Sequence, residues 1–360
     1  MKKAFLALSD GTVFEGLSVG ATGKVIGEIV FTTGMVGYLE AITDPSFAGQ
    51  IVTMTYPIIG NYGVNRDDCQ SKKAQVRGLI MKEVAEYPNN FRCKETLENY
   101  LLSENVIAIT GIDTRALTRL LRTQGSMNGM IITVDEFNYA DYEAEIKGYS
   151  VGALVSEVTC SESYSLGEGS LNVAVLDCGV KRTTLDSLTS RGAKVTVYPA
   201  NTKAETILSG GYDGFVVSNG PGDPMSYPEL FTEVKALLTS GKPFLGIGLG
   251  HQLAALSMGG KTEKLTFGHR GANQPVKDLQ SGLTFVTSQN HGYAVIADSM
   301  TSDVAEISHI NVNDGTVEGL RYKNLPALSL QYDPESKPGP KCMKYLLEEF
   351  VAMMGGKENA

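Results

Sequence analysis

Three short stretches of this chain hold residues whose types and spacing point to chemistry. In "KPFLGIGLGHQLAAL" (242–256) the apolar run Phe244-Leu245-Gly246-Ile247 predicts a buried strand, and residues 251–258 predict a helix that stops at Gly259-Gly260. A sharp strand-to-helix turn of this kind pushes one nucleophilic side chain above a sheet edge. At its tip stands Gly248, which has no side chain. "SNGPGDP" (218–224) follows a second apolar strand, and its glycines and prolines suit either backbone N–H groups presented to a ligand oxygen or a plain tight loop. "LQYDPESKPGP" (330–340) sets Asp333 and Glu335 two residues apart across Pro334, a spacing that positions a base or makes a solvated acidic loop.

The elements around these stretches place them together. From Leu171 onward strands and helices alternate: "LNVAVLDCGV", "KRTTLDSLTSRG", "AKVTVYPA", "AETILSGG", "YDGFVVSNGPGDP", "PELFTEVKALLTSG" and "KPFLGIG". That alternation predicts an α/β region with helices on both faces of a mostly parallel sheet, whose functional residues sit at the carboxyl ends of its strands. The first 150 residues read differently, as short strands with glycine turns and little helix. Two helices are expected there, in "CKETLENYLLSENV" and in "DTRALTRLLRTQGS", the second capped by Asp113 or Thr114 and closed by Gly125. Residues 151–170 are rich in Ser, Gly and Glu without a sustained period and read as a linker. The expected organisation is 1–150, a linker at 151–170, and 171–360.

Bulk properties narrow the function further. With 360 residues, 42% hydrophobic and 20% charged, the composition is that of a globular chain with room for two domains. A net charge of -9 argues against a general nucleic-acid partner. No apolar stretch approaches the roughly 20 residues of a membrane span, and the apolar run at 4–8 is too short for a signal segment, so no membrane partner and a cytoplasmic location are expected. Cys69, Cys93, Cys160, Cys178 and Cys342 form no CxxC pair, which with four histidines predicts reduced thiols and no metal centre.

Taken with the sheet pattern, the three loops resemble the class I glutamine amidotransferases. "GIGLGHQ" is similar to that family's nucleophile elbow, where the usual residue at the position of Gly248 is cysteine. "SNGPGDP" resembles its oxyanion loop, and "LQYDPES" its His-Pro-Glu segment, with Asp333 in the place of histidine. "FGHRGANQPV" (267–276) and "TSQNHGYAV" (287–295) resemble the subgroup found in carbamoyl phosphate synthetase. "GATGKVIGEIVFTTGMVGYLEAITDPSFAGQIVTMTYPIIGNYG" and "IAITGIDTRALTRLLRTQGSMNG" resemble the domain that precedes it in that enzyme's small subunit.

The resemblance implies a subunit that takes nitrogen from glutamine and passes ammonia through a tunnel to a large subunit. That partner makes carbamoyl phosphate from bicarbonate, for arginine and pyrimidine synthesis. It implies no cofactor in this chain, with ATP and Mg used by the large subunit, and L-glutamine as a possible ligand. By position the glutamine-binding and oxyanion residues carry over to Ser46, Gly220, Gly222, Leu249, Gln252, Asn290, Gly292 and Tyr293, the last standing where many relatives have phenylalanine. Ser46 falls in the first region, so the resemblance implies a pocket where the two domains meet. The orienting glutamate carries over as Glu335. His251, His269 and His291 stand where ordinary members also have histidine, His309 lies outside any motif, and Cys178 stands where relatives usually have phenylalanine.

Two catalytic positions depart from the pattern, Gly248 for the nucleophile and Asp333 for the base. In hydrolases of this logic either loss alone costs on the order of 10⁶ in turnover. An ionised aspartate is a poor base for activating water and sets negative charge beside an oxyanion. The expected outcome is a subunit without useful glutaminase that serves an ammonia-dependent complex. The alternatives are a non-catalytic glutamine-binding regulatory module and an active enzyme with an unrecognised nucleophile. Gly248 is expected to have positive φ, Asp333 and Glu335 are expected at a pocket rim, and Thr183-Thr184, where relatives tend to have Asn-Ile, reads as relaxed constraint.

Overall fold

A computed structural model describes residues 2–335 and 344–355. It divides into two compact units, Met1–Gly152 with Thr266–Arg270, and Ala153–Leu265 with Gly271–Ala360.

The first unit holds nine strands: β1 (Lys3–Leu8), β2 (Val13–Gly20), β3 (Lys24–Thr32), β4 (Gln50–Met54), β5 (Ile58–Ile59), β6 (Gly78–Ile80), β7 (Glu83–Val84), β8 (Ile107–Thr110) and β9 (Met127–Ile132). Its helices are α1 (Tyr38–Thr43), α2 (Leu97–Ser103), α3 (Thr114–Gln124) and α4 (Glu143–Gly148). Seven strands close a barrel in the order β1-β2-β8-β6-β4-β3-β9, which leaves no open edge. Along the strands, alternate residues enter different cores. Ile29, Ile51, Ile80, Ile109 and Ile131 cluster with Leu117 and Leu121 of α3, while Val30, Val52, Leu79 and Ala108 pack with Leu39 of α1 and Leu101 of α2. Burial on both faces explains why these strands read as β-branched runs. α3 starts where the Asp113 carboxylate accepts the Ala116 N–H at 2.9 Å and ends at Gly125, whose φ is +95°.

The second unit contains α5 (Val155–Val158), β10 (Tyr164–Leu166), β11 (Leu171–Asp177), α6 (Arg182–Thr189), β12 (Ala193–Pro199), α7 (Ala204–Leu208), β13 (Gly214–Val217), α8 (Pro228–Leu238), β14 (Phe244–Ile247) and α9 (Leu249–Ser257). It continues with β15 (Thr262–Asp278), β16 (Thr284–Val295), β17 (Ala305–Asn311), β18 (Val317–Tyr322), β19 (Ala327–Leu330) and α10 (Tyr345–Met353). One sheet runs β10-β12-β11-β13-β14-β19-β18-β16-β15-β17. The five strands β12, β11, β13, β14 and β19 are parallel neighbours, so their carboxyl ends share one edge. Beyond β19 the sheet continues antiparallel. The parallel strands are buried on both faces: Val173, Val175, Val195 and Val216 pack with Leu185 of α6 and Phe350 of α10, while Ala174, Phe215 and Phe244 pack with Leu230 of α8 and Leu253 of α9.

Residues 151–170 do not form the expected linker. They carry α5 and β10, and β10 pairs antiparallel with β12 from Tyr164↔Val197 to Leu166↔Val195. β10 is exposed along its whole length, so no apolar alternation marked it as a strand. Among the described residues no helix is long and apolar enough to cross a membrane.

Candidate functional site

At the shared edge, the turn after β11 is tied by Asp177. Its Oδ1 accepts the N–H groups of Gly179 (2.9 Å) and Val180 (2.7 Å), and its Oδ2 accepts that of Cys160 (2.8 Å). This turn delivers Lys181 to the start of α6, with its side chain almost wholly buried. After β13, Ser218 Oγ accepts the Cys178 N–H at 3.0 Å and donates to the Asn219 carbonyl at 2.8 Å. Gly220 follows because a Cβ there would lie 2.3 Å from the Cys178 carbonyl oxygen, and Gly222 has φ +87°. The Tyr227 hydroxyl donates to the Pro221 carbonyl at 2.9 Å.

β14 then enters the elbow. Gly248 has φ +57° and ψ -110°, so its φ is positive as expected, and its N–H donates to the Leu330 carbonyl at 2.8 Å. The Gly248 carbonyl accepts the N–H groups of His251 (3.1 Å) and Gln252 (3.2 Å), which starts α9. A Cβ on Gly250 would lie 2.1 Å from the Val217 carbonyl oxygen, whereas a Cβ on Gly248 would meet Asn219 Cβ at 3.0 Å, Asn219 Cα at 3.4 Å and the Gln331 carbonyl oxygen at 4.0 Å. The tip therefore has room for a side chain at moderate strain and carries none.

The loop after β19 is fixed by charge. Lys181 Nζ lies 2.7 Å from Asp333 Oδ2 and 2.8 Å from Glu335 Oε1. The Thr184 hydroxyl donates to Glu335 Oε1 at 2.9 Å, and that of Thr183 does so at 3.4 Å. Asn219 Nδ2 donates to Asp333 Oδ1 at 3.4 Å, and the Asp333 N–H donates to the Ser288 carbonyl at 3.0 Å. Burial alone would raise the Glu335 carboxyl; the Lys181 ammonium and the Thr184 hydroxyl outweigh it and hold the group below its usual range. Both carboxylates are buried (Asp333 8% exposed, Glu335 2%) and not at an open rim, because a buried lysine reaches them from α6. The Thr183 and Thr184 hydroxyls are likewise part of this cluster.

The remaining expected positions divide by unit. Leu249 is buried at the start of α9, and Gln252 Nε2 donates to the Tyr293 carbonyl of β16 and to Gln331 Oε1, each at 2.9 Å. Asn290 and Gly292 precede Tyr293 on the same strand, and both amide atoms of Asn290 are shielded with no hydrogen-bond partner among the described residues. Ser46 stands in the first unit, buried in a 3-10 turn at Pro45–Phe47, where its N–H donates to Asp44 Oδ1 at 2.8 Å.

The histidines of this unit are each held by buried neighbours. His251 Nδ1 is 2.8 Å from Ser329 Oγ, and burial pushes its imidazole down to about 3. His291 is held by the Tyr293 carbonyl (2.8 Å) and Gln289 Oε1 (3.0 Å). Burial pushes His309 down to about 4, and its ring packs edge-on against Tyr332 at 5.6 Å. The thiols are no better placed. Burial first, then the Asp177 carboxylate, pushes Cys160 up to about 12 and Cys178 higher still. Among the described residues Cys69, Cys93, Cys160 and Cys178 form no disulfide, and Cys342 lies outside the described residues.

Sequence reasoning missed Lys181. Its signal was a basic residue at the carboxyl end of a buried parallel strand, where a cation is buried only if carboxylates meet it.

A parallel sheet with an elbow, a glycine-proline loop and a carboxylate loop at one edge defines a protein of the class I glutamine amidotransferase type. Residues 174–353 match the family "Glutamine amidotransferase class-I", and residues 6–131 match "Carbamoyl-phosphate synthase small chain, CPSase domain". A carbamoyl phosphate synthase small chain of Clostridium perfringens (strain 13 / Type A) is 48% identical over 349 residues, 97% of this chain and 99% of that protein. That of Listeria monocytogenes serotype 4b (strain F2365) is 46% identical over 360 residues, 99% and 98% of the two chains. Among solved structures, a putative GMP synthase subunit from Thermoplasma acidophilum aligns with TM-score 0.46 at 20% identity, over 53% of this chain and 96% of that one. The chain belongs to the carbamoyl phosphate synthase small-chain family.

Proposed function

We propose that this chain is the small subunit of a carbamoyl phosphate synthetase, that it no longer hydrolyses glutamine, and that its complex draws on free ammonia. The observation that carries this reading is the pairing of two changes at one sheet edge. Gly248 offers no nucleophile at the elbow tip, and the residue at the base position, Asp333, is ion-paired to buried Lys181 at 2.7 Å. An amide hydrolase of this class needs a nucleophile, a base that takes its proton, and a group that orients the base. Here Glu335, the orienting residue, is bound to the same lysine at 2.8 Å, so the residues at the base and orienting positions are both engaged by a buried cation. Cys160 and Cys178 have thiols held well in the neutral form, which argues against a substitute nucleophile. The large subunit would supply the ATP- and Mg-dependent chemistry, and this chain would act by assembly with it. Incubation of the isolated chain with L-glutamine is expected to release no glutamate above the uncatalysed rate; release that tracks protein concentration would overturn the reading.

A second reading has its own support. Gln252 is held between Tyr293 and Gln331, and the Asn290 amide presents both its atoms without a partner among the described residues. Polar groups shielded in this way suit an amide-bearing ligand. Calorimetric titration with L-glutamine separates the two, since a regulatory module binds glutamine without turning it over.

A further inference from the structure

We propose that the cluster of Lys181, Asp333, Glu335 and Asn219 is a binding site for one ammonium ion. Two carboxylates share a single lysine ammonium here, at 2.7 Å and 2.8 Å. The lysine, the Thr183 and Thr184 hydroxyls and the Asn219 amide N–H all donate to Asp333 or to Glu335 Oε1. The second oxygen, Glu335 Oε2, is buried and has no hydrogen-bond partner among the described residues, and the same holds for Asn219 Oδ1. A carboxylate oxygen shielded from water needs a donor or a cation. Amide orientation does not remove the surplus of acceptors, because turning Asn219 over would set its oxygen against Asp333 Oδ1.

The chemistry of the acceptors selects the ligand. Every open position is oxygen, which excludes a soft metal, and an ammonium ion brings N–H donors that satisfy a few fixed oxygens one by one. Gly248 contributes by having no side chain beside Asn219, whose Cβ stands 3.0 Å from where a Cβ at 248 would be. The selection of ammonium over other monovalent cations rests on the function proposed above, whereas the cation site itself is argued from the two buried oxygens of Glu335 and Asn219 that are unpartnered among the described residues.

The test is thermal melting of the full-length chain, without a large subunit, against rising ammonium chloride, with choline chloride at the same ionic strength as reference and potassium chloride as competitor. A saturating rise in Tm with ammonium, weaker with potassium and absent with choline, is expected. Glu335→Gln should weaken the apparent affinity about tenfold or more, in keeping with loss of a charged acceptor. Asn219→Ala, which leaves both lysine pairs in place, should weaken it by a smaller factor and guards against misfolding of the first variant. Equal melting in the three salts overturns the site, and equal stabilisation by potassium and ammonium overturns its assignment to ammonium. Because no carbamoyl phosphate is measured, failure of the site and failure of the proposed function are separately visible.

Discussion

At the elbow, positions 246 and 250 answer to backbone crowding and position 248 to a positive φ, whereas the loop that follows β19 answers to charge. A Cβ on Gly246 would lie 2.7 Å from the Gly250 carbonyl oxygen, one on Gly250 would lie 2.1 Å from that of Val217, and Gly248 takes φ +57°. Nothing in that geometry depends on a nucleophile being present. At 333 and 335, by contrast, the side chains are held by Lys181, at 2.7 Å and 2.8 Å. The frame of the site therefore rests on steric grounds, while the loop after β19 holds a buried ion cluster. A glycine at the tip relieves strain, and an aspartate at 333 gives a buried lysine a second partner.

Breaking the charged region should cost most. Lys181→Met leaves two buried carboxylates without their shared cation and is expected to destabilise the chain by about 3–5 kcal/mol, read as a drop in Tm or in urea midpoint. The sign with pH follows from Glu335, whose carboxyl is held below its usual range. Its contribution is present above the unfolded value of about 4.3 and is lost as pH falls through the folded value, and Lys181→Met should remove that dependence.

His251 gives the next largest effect. Its folded value near 3 lies below the ordinary 6.5, so the unfolded chain binds the proton more readily. Stability from this residue is complete above about pH 6.5 and declines as pH falls toward 3, by on the order of a few kcal/mol. His251→Gln loses the Ser329 contact at neutral pH but should flatten this acid limb, which melting at pH 7 and pH 4.5 will show.

The steric region is tested by two alanines. Gly250→Ala drives a methyl against the Val217 carbonyl and should cost about 3 kcal/mol. Gly248→Ala meets only moderate crowding plus an unfavourable φ, for about 1–2 kcal/mol. Gly248→Cys should cost a similar amount and restore no glutamate release, because Asp333 stays paired with Lys181.

Much of the frame was legible in the sequence. The parallel strands announced themselves as short apolar runs between helical segments, and the elbow's glycines required an unusual backbone whatever their chemistry. The barrel was less legible: its parallel pairings β3–β4, β4–β6 and β6–β8 join strands separated by long excursions, and no local pattern encodes such partners. α5 and β10 were hidden because each is only three or four residues long, too short to show a period. At the site, Gly248 and Asp333 stood out as departures, while Lys181 did not, since a lysine ahead of a helix ordinarily reads as solvent-exposed. Its role depends on the carboxylates that β19 brings to α6, a long-range fact that no single segment contains.

The measurement that tests the central claim most directly is carbamoyl phosphate formation by this chain assembled with its large subunit, supplied with either L-glutamine or ammonium chloride. Product from ammonium alone, with no glutamate released from glutamine, is the predicted result. Glutamine-dependent product at a rate comparable to the ammonium-dependent one would contradict it and would mean that a nucleophile other than residue 248 serves the site.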